Sequence, residues 1–339
     1  MSKTKKIVLV IVSVIVVLLL CAGVYAYSLY SSTQGESLSD SQVSASTASD
    51  LSDDVTNIAL FGIDNRSADD AGRSDTIIIA SINKSNKSIR LTSVMRDTFA
   101  KVTSSDGTVS YQKINAAYAL GGAASAVKAL NENFDLNITK YATIDFDGLV
   151  EIINTLGGIT LNIEDQSVLD NANETIQNEY NSSDLIPGTG EQVLDGLQTL
   201  AYARVRYADS DYGRTSRARQ ILEAVLSKAK ASGTMEALNM ISTIAPYIDT
   251  SLSVSEMTDY AQTIMDSSYT VQEFSVPTKE YSLYGYDSQG QWCIYPNTLE
   301  DNAKLLHQTI YGQNVQYTPS SELQEISSQI SSEAGQRSE

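Results

Sequence analysis

The chain has 339 residues, enough for one large domain or two ordinary ones, and its 42% hydrophobic and 19% charged residues are typical of a globular protein. The formal net charge of −18 argues against non-specific nucleic-acid binding, which needs a broad basic surface. His307 is the only histidine, which excludes mechanisms that need two histidines and also His-rich zinc sites. We predict that His307 lies at the surface of the last helix.

The N-terminus has the pattern of a membrane anchor. Residues 1–6 form a basic cytoplasmic tail with three lysines, and residues 7–30 are almost unbroken apolar sequence, long enough to cross a bilayer as one transmembrane helix. Because the lysines precede the apolar run, the positive-inside rule places the N-terminus in the cytoplasm and the rest of the chain outside the cell. Two alternatives stay open: a signal-peptidase site at residues 24–26, and a weak lipoprotein-type box that ends at Cys21.

Three segments follow the anchor. Residues 31–54 are rich in Ser, Asp and Thr, and they are predicted to be a flexible linker. Residues 55–312 are predicted to form the folded extracellular domain. Residues 313–339 are predicted to be a polar C-terminal tail, in which Leu323, Ile326 and Ile330 suggest a weak helix.

The folded domain begins with strand signals. Runs rich in Ile and Val predict strands over 57–63, 76–82 and 88–94, and the short connection between the last two predicts an antiparallel hairpin. Residues 165–186 are polar and are predicted to be irregular. Further strands are predicted over 141–144, 159–163, 191–194 and 270–276, and helices over 113–122, 123–133, 146–156, 235–248, 255–266 and 297–311. This alternation predicts an α/β fold with a central sheet.

Carboxylates and arginines are predicted to meet at one edge of that sheet. If the first two strands are also antiparallel, this edge brings together the ends of three strands and the loop between the first two: Asp64, Asp75, Arg96 and Asp97, with Arg66 and Arg73 in the loop. Two interpretations stay open. The charges neutralise each other, or they hold a divalent cation beside a phosphate, since Mg²⁺ is typically bound through one or two carboxylates and ligand phosphates.

Five of the ten arginines lie within residues 204–219. This concentration favours a small, multiply charged anion as ligand, because Arg suits bidentate recognition of phosphate oxygens. Arg204 continues the apolar stripe of one predicted helix, Arg214 and Arg217 that of the next, and Arg219 is predicted to point away from the second stripe. The alternative is that the two aspartates of the stretch and other carboxylates pair with these arginines as ordinary ion pairs.

The tyrosines of residues 281–286 and Trp292 form an aromatic cluster in the sequence. We predict a hairpin that packs against the domain. The alternative is a surface on which sugar rings stack.

The motifs, in this order and spacing, resemble the LytR-CpsA-Psr family over about residues 55–230. Six motifs carry the resemblance: NIALFGIDNR at 57–66, GRSDT at 72–76, RDT at 96–98, KINAAY at 113–118 with its glycine pair at 121–122, the glycine pair at 157–158, and DYGRTSR at 211–217. The resemblance implies an α/β domain with a central mixed β-sheet flanked by helices, a hydrophobic channel for a polyprenyl chain, and one N-terminal transmembrane helix before the domain.

The resemblance also implies an activity. Such proteins transfer a glycopolymer (teichoic acid, capsular or other wall polysaccharide) from an undecaprenyl-pyrophosphate carrier to peptidoglycan. The acceptor is the 6-hydroxyl of N-acetylmuramic acid, and the product is a phosphodiester. The reaction takes place outside the cell membrane of a Gram-positive bacterium.

The roles that the resemblance implies fall on residues already named. Asp64 and Asp75 match the positions that bind Mg²⁺, with Mn²⁺ as the alternative. The catalytic residues are Arg96, Asp97 and Asp211, of which Asp211 orients or deprotonates the acceptor hydroxyl. Six arginines match those around the pyrophosphate: Arg73, Arg96, Arg204, Arg206, Arg214 and Arg217. Phosphoryl transfer needs such a charge-stabilising set and little covalent help from the protein.

Two departures from the family pattern keep other functions open. Met95 replaces the usual proline before Arg96, and Ala218 replaces the usual glutamine after Arg217. Gln220 lies about 200° further round the helix and is not expected to substitute for that glutamine. The first alternative is a pyrophosphatase, which uses water as acceptor. The second is a non-catalytic module that binds polyprenyl-linked glycans and regulates envelope assembly.

Overall fold

The computed structural model of the protein describes residues 35, 37–46, 51–52, 54–64, 72–205, 211–232, 245–266 and 268–335. Within these ranges no helix has both the length and the apolar character needed to cross a bilayer. The predicted tail 1–6 and anchor 7–30 lie outside the described ranges, and so does most of the helix predicted over 235–248.

A six-stranded mixed sheet forms the centre of the fold, in the order β10-β3-β2-β1-β6-β9. Strands β1, β2 and β3 are mutually antiparallel, β6 runs parallel to β1, and β10 runs parallel to β3. The predicted mixed α/β sheet and the hairpin between its second and third strands are therefore confirmed. The strands are β1 Val55–Ile63, β2 Ser74–Asn83, β3 Ser88–Val94, β6 Lys140–Asp145, β9 Asp249–Thr250 and β10 Thr270–Val276.

Among the described residues, three two-stranded hairpins lie outside this sheet: β4 Phe99–Thr103 with β5 Val109–Lys113, β7 Ile159–Ile163 with β8 Gly190–Leu194, and β11 Ser282–Tyr286 with β12 Trp292–Pro296. The strands predicted over 159–163 and 191–194 are present, but they pair with each other instead of joining the central sheet. The β4–β5 hairpin was not predicted.

The described helices are α1 Ala116–Phe134, α2 Phe146–Thr155, α3 Gln166–Asn178, α4 Gly196–Arg204, α5 Asp211–Ser232, α6 Val254–Met265, α7 Leu299–Tyr311 and α8 Ser321–Gly335. Helix α1 joins the two helices predicted over 113–133, with a kink at Gly121 and Gly122. The prediction for residues 165–186 was wrong, because α3 fills most of that segment. Its apolar residues follow a helical pattern and are buried: Val168, Leu169, Ala172 and Ile176.

The alternation of side chains along β1 distributes the core over both faces of the sheet. Ala59 and Phe61 pack on the face covered by α1, α7 and α8. Ile58 packs on the opposite face with Leu222 of α5 and Met257 of α6. A third apolar cluster joins α2, α3 and α4 to the β7–β8 hairpin and to α5. Helix α5 therefore lies between the sheet and this third cluster.

The predicted C-terminal tail contains α8, which packs on the domain. Its three apolar residues Leu323, Ile326 and Ile330 are buried in the main core. The carboxylate of Asp135, at the end of α1, accepts hydrogen bonds from the Ser320 backbone N–H at 2.8 Å and from the Tyr317 hydroxyl at 2.7 Å. These bonds hold the start of α8 against the end of α1.

Part of the predicted linker is also packed. Val43 is fully buried, and its carbonyl accepts a hydrogen bond from the Asn131 side chain at 2.9 Å. The backbone N–H of Ser46 donates to the carbonyl of Leu136 at 2.9 Å. A truncation that begins at residue 55 therefore removes native contacts with α1.

The prediction for His307 was wrong. The imidazole is fully buried, its Nε2 lies 2.9 Å from the carbonyl oxygen of Phe134, and its ring stacks on Tyr317 with centroids 3.7 Å apart. Because α8 follows the helix that carries His307, the histidine is not on the last helix either. His307 is buried between α1 and the segment that leads into α8. The residues next to His307 in the sequence did not indicate this burial, because it depends on contacts with other parts of the chain.

The start of α6 supplies a testable pH dependence. Ser253 and Glu256 form a capping box there, and Lys140 Nζ lies 2.8 Å from Glu256 Oε1. Burial alone would raise the pKa of Glu256, but the hydrogen bonds from Lys140 and Ser253 outweigh burial and lower the pKa from 4.5 to about 2. A depressed carboxyl pKa contributes stability above the unfolded-state value, and this contribution is lost as the pH falls through the folded-state value.

We therefore expect Glu256→Gln to lower the free energy of unfolding by about 1 kcal/mol at pH 7, since the glutamine keeps the cap but loses the charge. The difference from the wild-type chain should shrink as the pH falls from 4.5 toward 2. Urea unfolding at a series of pH values measures it. Asp259→Asn is the matched control, an exposed acid on the same helix. A difference that stays constant with pH contradicts the prediction.

Candidate functional site

A β-bulge places Asp75 at the edge of the central sheet. Gly62 pairs with Thr76 and Ile63 pairs with Ser74, so Asp75 is the extra residue on β2. Asp64 directly follows β1, and its backbone N–H lies 3.5 Å from the carbonyl oxygen of Arg73. Bulges re-aim a side chain and recur beside functional sites. The bulge thus brings two carboxylates, Asp64 and Asp75, to the same edge.

Arg96 connects this bulge to the segment after β3. Its Nη1 donates a hydrogen bond to Asp75 Oδ1 at 2.9 Å, and its Nε lies 3.6 Å from Asp97 Oδ2. Lys113 Nζ lies 2.9 Å from the other oxygen of Asp97. The four side chains, each less than a quarter exposed, form an alternating row of two acids and two bases: Asp75, Arg96, Asp97 and Lys113.

This row shows how the sheet edge supports an arginine. Isolated buried charges are costly, so partly buried charges are found in pairs. Asp97 is 6% exposed and lies between Arg96 and Lys113, which fixes the position of the Arg96 guanidinium from one side while Asp75 fixes it from the other. The predicted meeting of Asp75, Arg96 and Asp97 is therefore observed.

A second arginine, Arg204, lies at the end of α4. Its Nη1 donates to Glu179 Oε2 at 2.6 Å and to the hydroxyl of Tyr180, and its guanidinium lies 5.1 Å from the ring centroid of Phe146. Burial lowers the pKa of Arg204, but the hydrogen bonds and charges of Tyr180 and Glu179 outweigh burial and raise it. Arg204 therefore stays charged in a partly desolvated position.

The pKa of Tyr180 depends on charges near Arg204 and on one charge at the sheet edge. Burial raises the pKa of the Tyr180 hydroxyl, the hydrogen bond from Arg204 opposes that rise, and the negative charges of Glu179 and Asp64 add to it. Asp64 is thus close enough to Tyr180 for its charge to act on the phenol. The charge at the end of β1 is the smallest of these influences on the hydroxyl that contacts Arg204.

Arg217, on α5, is held in place from the end of α4. Its Nη2 donates to the carbonyl oxygen of Val205 at 2.7 Å, and its guanidinium lies 5.8 Å from the ring centroid of Tyr202. Only 3% of Arg217 is exposed. The hydroxyl of Tyr202 also donates to Gln220 Oε1 at 2.9 Å, so Gln220 is engaged with α4.

Arg219 faces the central sheet, away from Arg217, as its helical spacing predicts. Its Nε donates to Glu273 Oε2 at 2.7 Å, and its Nη1 donates to the hydroxyls of Ser93 and Ser275 at 2.8 Å. Arg219 is buried by α5 and the sheet, and its contacts join α5 to β3 and β10.

The other residues named from the sequence are placed less fully. Arg73 lies beside the bulge and is exposed. Asp211 and Arg214 lie in the first turn of α5, but their side chains lie outside what the structure describes, and Arg206 lies outside the described residues altogether. Within the described part of the chain, no group of three or more His, Cys, Asp or Glu side chains is arranged to hold a metal ion.

Four contact residues of this site were not predicted to have roles: Phe146, Glu179 and Tyr180 around Arg204, and Lys113 beside Asp97. The apolar spacing of Val168, Leu169, Ala172 and Ile176 was the available signal for the second and third of these. This spacing indicates a helix that ends just before Glu179. The end of a packed helix fixes the position of the residues that directly follow it, here Glu179 and Tyr180. For Arg204, the counter-charge seen among the described residues is thus Glu179.

Comparison with known proteins gives consistent matches. The model of the LytR_cpsA_psr family matches residues 21–304. Biofilm regulatory protein A of Streptococcus mutans is 32% identical over 267 residues, which are 75% of this chain, and the chain spans 64% of that protein's length. The polyisoprenyl-teichoic acid–peptidoglycan teichoic acid transferase TagU of Halalkalibacterium halodurans is 30% identical over 276 residues, 78% of this chain and 86% of that protein.

A solved structure shares the fold. The LytR-CPS2A-psr family protein YwtF (TagT) with bound octaprenyl pyrophosphate lipid superposes with a TM-score of 0.61 at 21% identity. The superposition covers 81% of this chain and 99% of that chain.

Proposed function

The chain belongs to the LytR-CpsA-Psr family, and on that basis we propose that it transfers a glycopolymer from a polyprenyl-pyrophosphate carrier to peptidoglycan. Two comparisons support the proposal. TagU is named as a transferase that moves teichoic acid from a polyisoprenyl carrier to peptidoglycan, and the superposed YwtF structure holds octaprenyl pyrophosphate. In this chain, the observation that carries the proposal is the position of Arg96 between Asp75 and Asp97 at the bulged sheet edge.

Arg96 and Arg204 are the described arginines best suited to hold the pyrophosphate. Both are partly buried and both are fixed by acidic partners, and a guanidinium offers a fork of N–H donors that suits phosphate oxygens. The Nε of Arg204 is buried and makes no hydrogen bond to any described atom. We assign the remaining contacts to Arg217 and Arg73, and, from the family pattern, to Arg206 and Arg214.

The reaction is an in-line displacement at the phosphorus that carries the glycan. The acceptor hydroxyl oxygen forms a bond to this phosphorus, and the bond between phosphorus and the bridging oxygen breaks. Polyprenyl phosphate leaves with that oxygen, and the hydroxyl proton passes to a base, for which we propose the Asp211 carboxylate. The arginines stabilise the charge that develops on the phosphoryl oxygens and on the leaving group.

We further propose that Asp64 and Asp75 hold a Mg²⁺ ion, or Mn²⁺ in its place. The donor set fits, because both groups offer hard carboxylate oxygens at one bulge, and Mg²⁺ is commonly bound by one or two carboxylates with water and substrate phosphates. The lack of a third acid or histidine ligand among the described residues is consistent with such a substrate-completed site. When bound, the ion supplies positive charge to the phosphate oxygens.

The proposed location is the outer face of the cell membrane of a Gram-positive bacterium, with residues 7–30 as a single-pass anchor and the N-terminus in the cytoplasm. The length of the apolar run and the lysines before it support this placement. Protease treatment of intact cells tests it: the folded domain should be digested, while a tag fused to Met1 should be protected. Protection of both parts contradicts the placement.

The test of function uses the full chain in detergent, because residues 37–46 pack on the domain. The chain is incubated with Mg²⁺, a polyprenyl-pyrophosphate glycan and peptidoglycan fragments, and the products are analysed by mass spectrometry. A glycan–phosphate–peptidoglycan adduct is the expected product. Glycan phosphate with polyprenyl phosphate and no adduct indicates the pyrophosphatase alternative. Lipid binding without turnover contradicts the proposed transfer activity and indicates the non-catalytic alternative. Ala218→Gln is then the first substitution to test for restored activity.

A further inference from the structure

Three aromatic side chains form an exposed cluster on the β11–β12 hairpin. Tyr286 pairs with Trp292 and Tyr284 pairs with Ile294 across the two strands, so the three aromatic residues share one face. Tyr284 is 46% exposed, Tyr286 61% and Trp292 42%. Large aromatic residues grouped at a surface leave apolar area in water, which commonly marks a binding site. The predicted hairpin is present, and its aromatic face is turned outward.

The three rings contact one another and together form an aromatic platform. Tyr284 and Trp292 are nearly parallel, with an interplanar angle of 13° and centroids 6.0 Å apart. Tyr286 meets Trp292 edge-on at 5.4 Å. Mutual contact fixes the rings, so a ligand that stacks on them does not have to immobilise them first.

The hairpin is joined directly to the active-site segment. The backbone N–H of Ile294 donates to the carbonyl oxygen of Asp97 at 2.9 Å, and Thr98 forms a parallel bridge with Ile294. Beneath the hairpin, Tyr295 is buried against Phe99 with ring centroids 4.8 Å apart. Trp292 thus stands two residues from a strand position that is hydrogen-bonded to Asp97, the residue after Arg96.

The charge of the hairpin selects among ligands. Between Tyr281 and Pro296 the only charged residue is Asp287, whose carboxylate accepts hydrogen bonds from the backbone N–H groups of Gln289 and Gln291 within the turn. A surface that binds phosphate groups or an anionic membrane would call for Lys or Arg here. The flat C–H face of a neutral pyranose ring needs only an aromatic surface.

We propose that Tyr284, Tyr286 and Trp292 bind the amino-sugar strand of the acceptor peptidoglycan by stacking and so present its hydroxyl to the Arg96 edge. This inference rests on the proposed transfer reaction, because it assigns the acceptor of that reaction. The donor already has a charged handle in its pyrophosphate, for which the site has arginines. The acceptor strand has no pyrophosphate, so we assign its sugar rings to the stacking surface.

The tryptophan provides a direct binding assay, because Trp292 is the only one in the chain. The probe is a soluble strand of alternating N-acetylglucosamine and N-acetylmuramic acid, added to the full chain in detergent without donor lipid. We expect a saturable change in tryptophan emission. Tyr284→Ala should weaken this binding about tenfold, because stacking on one ring contributes an effect of that order. Leu283→Ala is the matched control, an exposed apolar residue on the opposite face of the same strand, and should bind normally.

Transfer kinetics give the second readout. Trp292→Ala should raise the KM for peptidoglycan about tenfold, while kcat at saturating peptidoglycan and the KM for the donor stay unchanged. Trp292→Phe keeps a ring and should transfer nearly normally, which guards against a misfolded alanine variant. If the emission of the wild-type chain responds to the strand but the wild-type chain gives no transfer, the platform stands and the proposed function fails.

Several outcomes overturn the proposal. If tryptophan emission does not change when the glycan strand is added, the strand does not bind at these rings. A rise in the donor KM in place of the acceptor KM shows that the platform binds the donor glycan. An emission change with phosphatidylglycerol vesicles but not with the strand shows that it meets the membrane instead.

Discussion

Arg96→Ala is expected to lower the rate of glycopolymer transfer about 10³-fold while the protein stays folded. Arg96 contacts both Asp75 and Asp97, whereas Lys113 contacts the other carboxylate oxygen of Asp97. Alanine therefore removes a pre-positioned positive charge from the edge at which we propose that the reacting phosphate binds. Losses of this size follow the removal of one charge-stabilising donor or arginine from comparable reactions.

A lysine substitution at Arg96, with a second at Arg90 as control, distinguishes the contribution of the guanidinium geometry from that of the positive charge. Arg96→Lys keeps the charge but loses the guanidinium fork, and we expect about a 10²-fold loss. Arg90→Lys is the matched control, an arginine in β3, the strand that leads to the site, and it should transfer at the wild-type rate. The measurement is kcat/KM, with circular dichroism to verify the fold. An Arg96→Ala rate within threefold of the wild type would remove Arg96 from the mechanism.

Asp75→Asn is expected to lower transfer about 10²- to 10³-fold and to weaken the response to Mg²⁺. The amide oxygen of asparagine still accepts a hydrogen bond from Arg96, so the bulge should keep its shape, but the negative charge beside Asp64 is lost. A cation bound partly through Asp75 then loses one of its two proposed protein ligands.

Thermal unfolding supplies a readout that does not require turnover. A ligand that binds the folded state raises the melting temperature. We expect Mg²⁺ together with inorganic pyrophosphate to raise the melting temperature of the wild-type chain more than that of Asp75→Asn. Asp54→Asn, immediately before β1 at the opposite end of that strand, is the control and should respond like the wild type. Equal metal responses in all three proteins would assign Asp75 to positioning Arg96 only.

Local sequence predicted the elements that build the sheet edge. The Ile- and Val-rich runs of β1, β2 and β3 indicate strands, and the short connection at residues 83–87 indicates a hairpin. Once these strands are antiparallel, their ends place Asp75 and Arg96 at one edge without further information. The first three family motifs then fall on the same edge.

The contacts that fix the arginines could not be predicted in this way. Glu179 is 25 residues from Arg204, and it reaches that arginine only because α3 is a helix that packs beside α4. The polar residues of α3 concealed its apolar stripe. The β4–β5 hairpin, which carries Lys113 to Asp97, was missed for the related reason that β5 is short and without a buried residue.

The sequence by itself determined the strands and the hairpin near the site, the arginine-rich helix pair and the family, because periodicity, turn residues and motif spacing are properties of neighbouring residues. Only the tertiary structure decided that α8 and His307 belong to the core, and that the aromatic hairpin lies beside Asp97. Asp135 and Ser320, 185 residues apart, dock α8 through hydrogen bonds, and Ile294 meets Asp97 through another. Such contacts form when surfaces that are far apart in the sequence bury each other. The free energy of that burial depends on the whole fold and not on neighbouring residues.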